Sequence, residues 1–304
     1  MKTITLFKAL ADETRIRVLH LLMHQELNVN EIVDILGMGQ SRISRHLKIL
    51  SESGLLCSRR DGLWNFYSAA ATAQAKAFLD GIAPILDAEP LLKTDLDLAR
   101  RVSLERKRES KKFFNSIAED WDRIKKELLD GFDLNALIAD RITPCGTSVD
   151  VGCGTGDLLP VLKERSQKVI GVDNSPAMLE RARVRFSGDG DSIDLRLGEI
   201  EHLPLSNGEA ECAVLNMVLH HLASPLEGIS EVRRVLNSGN RLLIVDFEKH
   251  EREALRTQYG DRWLGFDRVE IGEWLRRSGF ILNKTECIGV NMGLTLCIYD
   301  ATRT

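Results

Sequence analysis

No stretch of the 304 residues approaches the roughly 18 consecutive apolar residues of a membrane-spanning helix, and the opening Met1-Lys2-Thr3-Ile4-Thr5 lacks a signal-peptide pattern. A cytoplasmic protein with no membrane partner is expected. Cysteine is sparse and unpatterned. The six, at 57, 145, 153, 212, 287 and 297, show no Cys-x-x-Cys spacing, so neither a zinc site nor a disulfide framework is expected, and reduced, mostly buried thiols are the default. An excess of positive charge is also missing: the net charge is −4, unpromising for a nucleic-acid binder until it is divided along the chain. Residues 1–68 carry 9 Lys+Arg against 7 Asp+Glu, and the remainder 32 against 38. Within 40–60, Arg42, Arg45, Lys48, Arg59 and Arg60 face Glu52 alone. A local basic patch on a mildly acidic protein is compatible with DNA binding. What is present is a 43% hydrophobic chain, long enough for two domains of ordinary size.

Leu6, Phe7 and Leu10, then Ile16, Leu19, Leu22 and Met23, recur at helical spacing, with Asp12 available as a cap between the two helices. Asn30 can cap a third helix whose Val33, Ile35 and Leu36 face inward, and Gly37 suits a left-handed stop. On the helix that follows, Ile43, Leu47 and Leu50 share one face while Ser41, Arg45 and Lys48 lie opposite, flanked by Arg42 and Ser44. An apolar back with a donor-rich front is the chemistry of a recognition helix, because arginine reads guanine edges and Lys or Ser holds phosphates. Leu55 to Arg60 and Leu63 to Tyr67 read as strands joined at Asp61-Gly62, a type I′ hairpin signal that brings Arg59 and Arg60 near the tip. The whole is a winged helix-turn-helix.

From Leu6-Phe7-Lys8-Ala9-Leu10-Ala11-Asp12 through Ser44-Arg45-His46-Leu47-Lys48 to the hairpin, the segment resembles the ArsR family of dimeric bacterial repressors. The resemblance implies a homodimer on double-stranded operator DNA, contacted through Ser41, Arg42, Ser44, Arg45, Lys48, Arg59 and Arg60. Arsenic-sensing members carry Glu-Leu-Cys-Val-Cys where this chain has Glu26-Leu27-Asn28-Val29-Asn30, and residues 69–92 hold no His or Cys. Neither family metal site keeps its ligands, so no metal is expected and the effector is sought elsewhere. The resemblance also makes Ala69 to Leu86 a dimerisation helix, closing a first domain at 1–92. Residues 93–110 read as a charged, solvated helical linker, and 111–304 as a second domain.

That second domain is organised around Val149-Asp150-Val151-Gly152-Cys153-Gly154-Thr155-Gly156-Asp157, a strand entering a glycine loop that opens a helix. Glycines at this spacing let the backbone lie flat against a ligand. The flanking acids Asp150 and Asp157 would repel a pyrophosphate and suit an ammonium and a sulfonium, which points away from a dinucleotide. Lys168-Val169-Ile170-Gly171-Val172-Asp173 completes a strand-loop-helix-strand unit ending in an acid that can accept both hydroxyls of a ribose.

With Asn174-Ser175-Pro176-Ala177-Met178, Leu197-Gly198-Glu199-Ile200, the strand Cys212 to Asn216 and the helix-turn-strand from Glu231 to Asp246 following in order, 111–304 resembles the class I S-adenosylmethionine (SAM) methyltransferases. The resemblance implies an α/β, Rossmann-like domain with a seven-stranded sheet, preceded here by the mainly α winged helix-turn-helix. It implies that SAM, or its product S-adenosylhomocysteine, is held by Asp150, Gly152, Gly154, Gly156, Asp173, Asn174, Met178, Glu199, Ile200 and Asn216. Phe114 and Trp121 become lid candidates, and Asn216, His220 and His221 candidates for substrate contact and catalysis. The motifs of DNA amino-methylating and cytosine carbon-5 enzymes are absent after the fourth strand of this domain, so a small-molecule acceptor is expected. The expected function is a DNA-binding transcriptional regulator whose SAM-binding domain senses SAM or its product and/or methylates a small molecule. The alternative is an active small-molecule methyltransferase that represses its own operon.

Overall fold

The structure is a computed structural model that describes residues 2–129, 132–187 and 193–304. It divides into two units, Met1–Arg106 and Lys107–Thr304.

In the first unit, α1 (Lys2–Leu10) and α2 (Glu13–His24) are separated by Asp12, whose carboxylate accepts the Arg15 N–H at 3.0 Å and caps α2. A short β1 (Leu27–Asn28) leads into α3 (Val29–Leu36). Asn28, rather than the expected Asn30, caps this helix. It accepts from the Glu31 N–H, and Glu31 accepts from the Asn28 N–H in return, a reciprocal arrangement that satisfies two donors where Asn30 would satisfy one. Gly37 ends α3 in the left-handed region (φ 63°). The recognition helix α4 (Gln40–Glu52) buries Ile43, His46, Leu47 and Leu50. Then β2 (Leu56–Asp61) pairs with β3 (Trp64–Ala69), and β1 joins on the far side to give the order β1-β3-β2. The hairpin loop is Gly62-Leu63, one residue later than Asp61-Gly62 suggested, because Asp61 is fully buried and pairs with Trp64. Gly62 has a positive φ (57°) at the first place of the loop and Leu63 at the second does not, which favours a II′-like turn over I′.

Helix α5 (Ala73–Ala88) is followed by α6 (Pro90–Ile117), a single helix of 28 residues that carries the chain from the first unit into the second. The stretch read as a solvated linker is therefore part of a longer helix. Its Leu92, Asp95 and Ala99 are buried in the first unit, where Asp95 forms a two-pronged ion pair with Arg17, both contacts 2.8 Å. Charge alone did not reveal this, since a buried carboxylate with a bidentate partner has the same letter as a solvated one.

The second unit adds α7 (Trp121–Leu129) and α8 (Leu134–Ala139), then alternates strand and helix. In order these are β4 (Cys145–Val151), α9 (Leu159–Arg165), β5 (Ser166–Asp173), α10 (Pro176–Arg185), β6 (Ile193–Leu197), β7 (Ala210–Asn216), α11 (Pro225–Val235) and β8 (Leu236–Phe247). Helices α12 (Ala254–Gln258) and α13 (Arg268–Arg277), β9 (Phe280–Gly289) and β10 (Thr295–Arg303) complete it. The sheet is seven-stranded, ordered β6-β5-β4-β7-β8-β10-β9, parallel except for β10, which runs antiparallel to both neighbours. Chain order reverses at β4, so the crevice beyond the carboxyl ends of β4, β5 and β7 is where a ligand is expected in such a sheet. Val149, Val151, Val169, Val214 and Val245 are fully buried, as β-branched residues of strands covered on both faces should be.

Cys287 and Cys297 face each other across β9 and β10 and form a disulfide. This corrects the expectation of reduced thiols for that pair. The two cysteines are ten positions apart in sequence, with a turn between, and the strand register brings them opposite.

Candidate functional site

The glycine loop leaves β4 with Gly152, Gly154 and Gly156 all at positive φ (79°, 54° and 79°). A Cβ on Gly152 would lie 2.5 Å from Val218 Cγ2, so the first glycine is required both by conformation and by space. Behind the loop, Asp173 at the end of β5 accepts the Gly154 N–H and the Ser175 N–H, each at 2.8 Å. Burial raises its carboxyl above the usual range, and these backbone donors oppose the rise. Asn174 donates to Glu199 at 3.1 Å, while Met178 and Ile200 are buried nearby in sequence.

The two loop acids differ. Asp157 is answered by Lys125 of α7 at 2.7 Å. Asp150 is 2% exposed, and its Oδ1 has no hydrogen-bond partner among the described residues. Burial first, then the charges of Asp157 and Asp173, push its carboxyl up to about 8 against the opposing pull of Lys125. Asn216, ending β7, likewise leaves a buried Oδ1 unpartnered. Two orphaned buried acceptors at the ends of the adjacent strands β4 and β7 are sites for donors that the described residues do not supply.

Residues from the end of α6 and from α7 strap this loop. Asn115 accepts from Ser175 Oγ at 2.7 Å, and Asp122 accepts from Thr155 Oγ1 at 2.6 Å and pairs with Arg185. Trp121 Nε1 would stand 3.4 Å from a Cβ on Gly154. The Trp121 ring meets Phe114 edge-on at 5.5 Å, and Phe114 meets His221 at 4.8 Å. An aromatic wall thus runs from the glycine loop to the histidine pair, and both lid candidates are in it.

The histidines follow Met217, whose left-handed backbone (φ 59°) turns the chain sharply off β7. His220 is buried, with Nδ1 2.7 Å from Asp246 Oδ1 and Nε2 3.7 Å from Asp261 Oδ1. Burial lowers its basicity, but Asp246 and then Asp261 outweigh burial and raise it to about 9. His221 Nδ1 lies 3.1 Å from the Gly260 carbonyl, which can only accept, so Nδ1 carries the proton and Nε2 keeps its lone pair. Burial and the charge of His220, in that order, drive its pKa well below the ordinary value. Donor atoms of His220, His221 and Asp261 lie close enough together for a metal, and the Asp246 and Gly260 partners of the two Nδ1 atoms also fix the orientation of the ring pair. The arrangement suits proton transfer. Asp246, Asp261, Gly260 and Lys125 carried no sequence signal beyond Asp246 closing a strand.

In the first unit, Ser41, Arg42, Ser44, Arg45 and Lys48 are all exposed on α4, opposite its buried face. Arg42 also donates to Thr14 Oγ1 at 3.2 Å, and Lys48 has Glu52 at 3.8 Å. The wing arginines separate. Arg60 is exposed, whereas Arg59 is half-buried, ion-paired to Glu26 at 3.1 Å and stacked on Phe66.

Residues 12–58 match the model of bacterial regulatory proteins of the arsR family, and residues 149–244 that of a methyltransferase domain. An uncharacterized 37.1 kDa protein in a transposon of Streptomyces fradiae is 39% identical over 104 residues, 33% of this chain and 30% of that protein. A demethylmenaquinone methyltransferase of Symbiobacterium thermophilum is 30% identical over 167 residues, 51% of this chain and 66% of that protein. The chain therefore spans less than two thirds of the length of these curated relatives. Among solved structures, the complex of the Haloferax volcanii Trm112 methyltransferase activator with its methyltransferase superposes with a TM-score of 0.53 at 19% identity, over 63% of this chain and 98% of that one, a likeness of fold.

Proposed function

We propose that this chain, an ArsR-family helix-turn-helix domain joined to a methyltransferase domain, is a DNA-binding transcriptional regulator that also methylates a small molecule bearing an acidic hydroxyl, with SAM as donor. The observation that carries the catalytic half is His221, a neutral imidazole with a free Nε2 lone pair held beside a charged one. A pocket that only sensed its ligand would have no use for a proton acceptor shielded in this way.

The residues present fit SAM. Asp150 offers an unpartnered buried acceptor for an ammonium, and by the family resemblance Asp173 would take the ribose hydroxyls and Glu199, Ile200 and Met178 the adenine. When bound, SAM supplies a methyl group on a sulfonium, an already activated leaving group. The chain's own residues then have two tasks. Phe114 and Trp121 exclude water and position the acceptor. His221 Nε2 would hold the proton given up by the acceptor hydroxyl, leaving the acceptor electron-rich toward the methyl group, whose bond to sulfur is the one that would break. His220, kept as an imidazolium by Asp246 and Asp261, keeps its neighbour neutral and stabilises developing negative charge. The Symbiobacterium relative is named for demethylmenaquinone, so quinol-like and phenolic rings are the first acceptors to test.

For the regulatory half, the exposed donors of α4 support operator binding, as a homodimer in keeping with the arsR family. SAM and S-adenosylhomocysteine differ by a methyl and a charge, enough for a coupling to DNA affinity of about 1–3 kcal/mol. The test is one protein in two assays: methyl incorporation from labelled SAM into a panel of phenols and quinols, and operator affinity with SAM, with S-adenosylhomocysteine and with neither. Incorporation together with ligand-dependent affinity is the expected result. Ligand-dependent affinity with no incorporation would leave a sensor alone, and incorporation with unchanged affinity would leave an enzyme that binds DNA.

A further inference from the structure

Two helices of the first unit end at the same place. Helix α2 finishes at His24, with His20 one turn earlier on the same face, and α5 finishes at Ala88, just after Asp87. Asp87 Oδ1 lies 2.9 Å from His20 Nε2 and 3.4 Å from His24 Nε2, and the three atoms lie within 4.8 Å of one another. A tetrahedral ion with bonds of about 2.1 Å holds its ligand atoms about 3.4 Å apart, so this spacing is that of a chelate needing only small rotamer adjustment.

The setting favours a cation. Each helix C-terminus carries a partial negative charge, and here two of them converge. A carboxylate in the last turn of α5 is badly placed for its own helix and gains from a positive ion between it and α2. His20 is fully buried, whereas His24 and Asp87 are 45% and 51% exposed. The site is thus anchored on one side and open to solvent on the other, with room for water or a fourth ligand.

We propose that His20 Nε2, His24 Nε2 and Asp87 Oδ1 form a binding site for a borderline divalent cation of the zinc, cobalt or nickel class. Two imidazoles and one carboxylate suit these ions and disfavour magnesium or calcium, which prefer all-oxygen sites. His20 Nδ1 finds no hydrogen-bond partner among the described residues, so these supply none of the outer support that usually tightens a histidine ligand. The ion is therefore exchangeable rather than structural. Asp87 lies on α5, within the 69–92 stretch that holds no His or Cys, while the two histidines come from α2, and the sequence trace of the site is the i, i+4 spacing of His20 and His24.

The test is calorimetric titration of the chelator-stripped full chain with Zn²⁺, compared with His24→Ala, Asp87→Asn and His221→Ala. Both first-unit positions are half exposed, so these variants should fold, and an unchanged circular-dichroism spectrum checks this. Loss of a residue that merely orients a ligand weakens metal binding about 10- to 100-fold, so loss of a ligand should weaken it by at least that much. The expected result is one saturable Zn²⁺ site in the parent, retained in His221→Ala and weakened at least that far in His24→Ala and in Asp87→Asn. Parent-like isotherms in both first-unit variants, loss of the site in His221→Ala, or no saturable binding in the parent would each overturn the proposal.

Discussion

His220 and His221 are neighbours in sequence with ring centroids 4.0 Å apart, and the fold drives their proton affinities in opposite directions. Asp246 and Asp261 converge on the first, whereas the second has a carbonyl on one nitrogen and a cation beside it. Paired groups pushed apart in this way identify which holds its proton and which accepts one.

The stability of the second unit should carry the mark of His220. Its folded pKa of about 9 exceeds the unfolded value, so its contribution is fully present below about pH 6.5 and lost as pH rises to about 9, a change on the order of 3 kcal/mol. Depression of His221 acts in the reverse sense, costing stability as pH falls below about 6.5. Denaturant unfolding of the parent from pH 6 to 9.5 should show the alkaline decline, and His220→Gln should flatten it. An equal decline in the variant would remove His220 as its source.

If Asp150 takes the ammonium of SAM as proposed, binding should release a proton. The Asp150 carboxyl, raised to about 8, holds its proton at pH 7 until an ammonium takes that place. Calorimetry in buffers of different ionisation enthalpy should show close to one proton released near pH 7 and a net uptake near pH 9.5, where Asp150 is already ionised and the free amine must gain a proton to bind. Asp150→Asn should abolish the release and weaken SAM binding about 10- to 150-fold, the worth of a hydrogen bond to a charged group. Proton-neutral binding by the parent would contradict this role.

Gly152→Ala should impair the loop on two counts, a left-handed backbone and a Cβ 2.5 Å from Val218. Backbone strain alone costs about 1–3 kcal/mol. Thermal unfolding should fall and SAM affinity with it, while operator binding without SAM stays as in the parent. Unaltered SAM affinity would mean the loop does not approach the ligand.

The wing and the recognition helix should respond differently to alanine. Arg45 is exposed on α4, so Arg45→Ala should weaken specific operator binding by about 1–3 kcal/mol. Arg59 is held by Glu26 and Phe66, so Arg59→Ala should change affinity less and lower stability instead. Equal losses of DNA affinity, measured at one salt concentration, would show that Arg59 leaves Glu26 to reach the DNA.

The architecture was legible because periodicity and glycine placement are local properties. The inward face of α4, the left-handed Gly37 and the strand-loop-helix around Gly152 could be read from a few residues each. What escaped depends on partners distant in the chain. Asp95 becomes a buried ion-pair member only when Arg17 packs against it, Asp157 is answered by Lys125, and Cys287 meets Cys297 only in one strand register. The histidine pair was visible as candidate chemistry. The division of labour within it was not, since Asp246, Asp261 and Gly260 arrive from segments 26 to 41 residues further on.

The most direct test of the account is single-turnover methyl transfer with His221→Ala against the parent, SAM affinity being measured in the same preparations. Removing a general base costs about 100- to 10,000-fold in rate. The account predicts a loss of that size at pH 7.5 with SAM affinity unchanged, and partial recovery at high pH, where an acidic acceptor ionises unaided. A variant that transfers the methyl group as fast as the parent at pH 7.5, or a parent that transfers none to any hydroxylated acceptor, would contradict it.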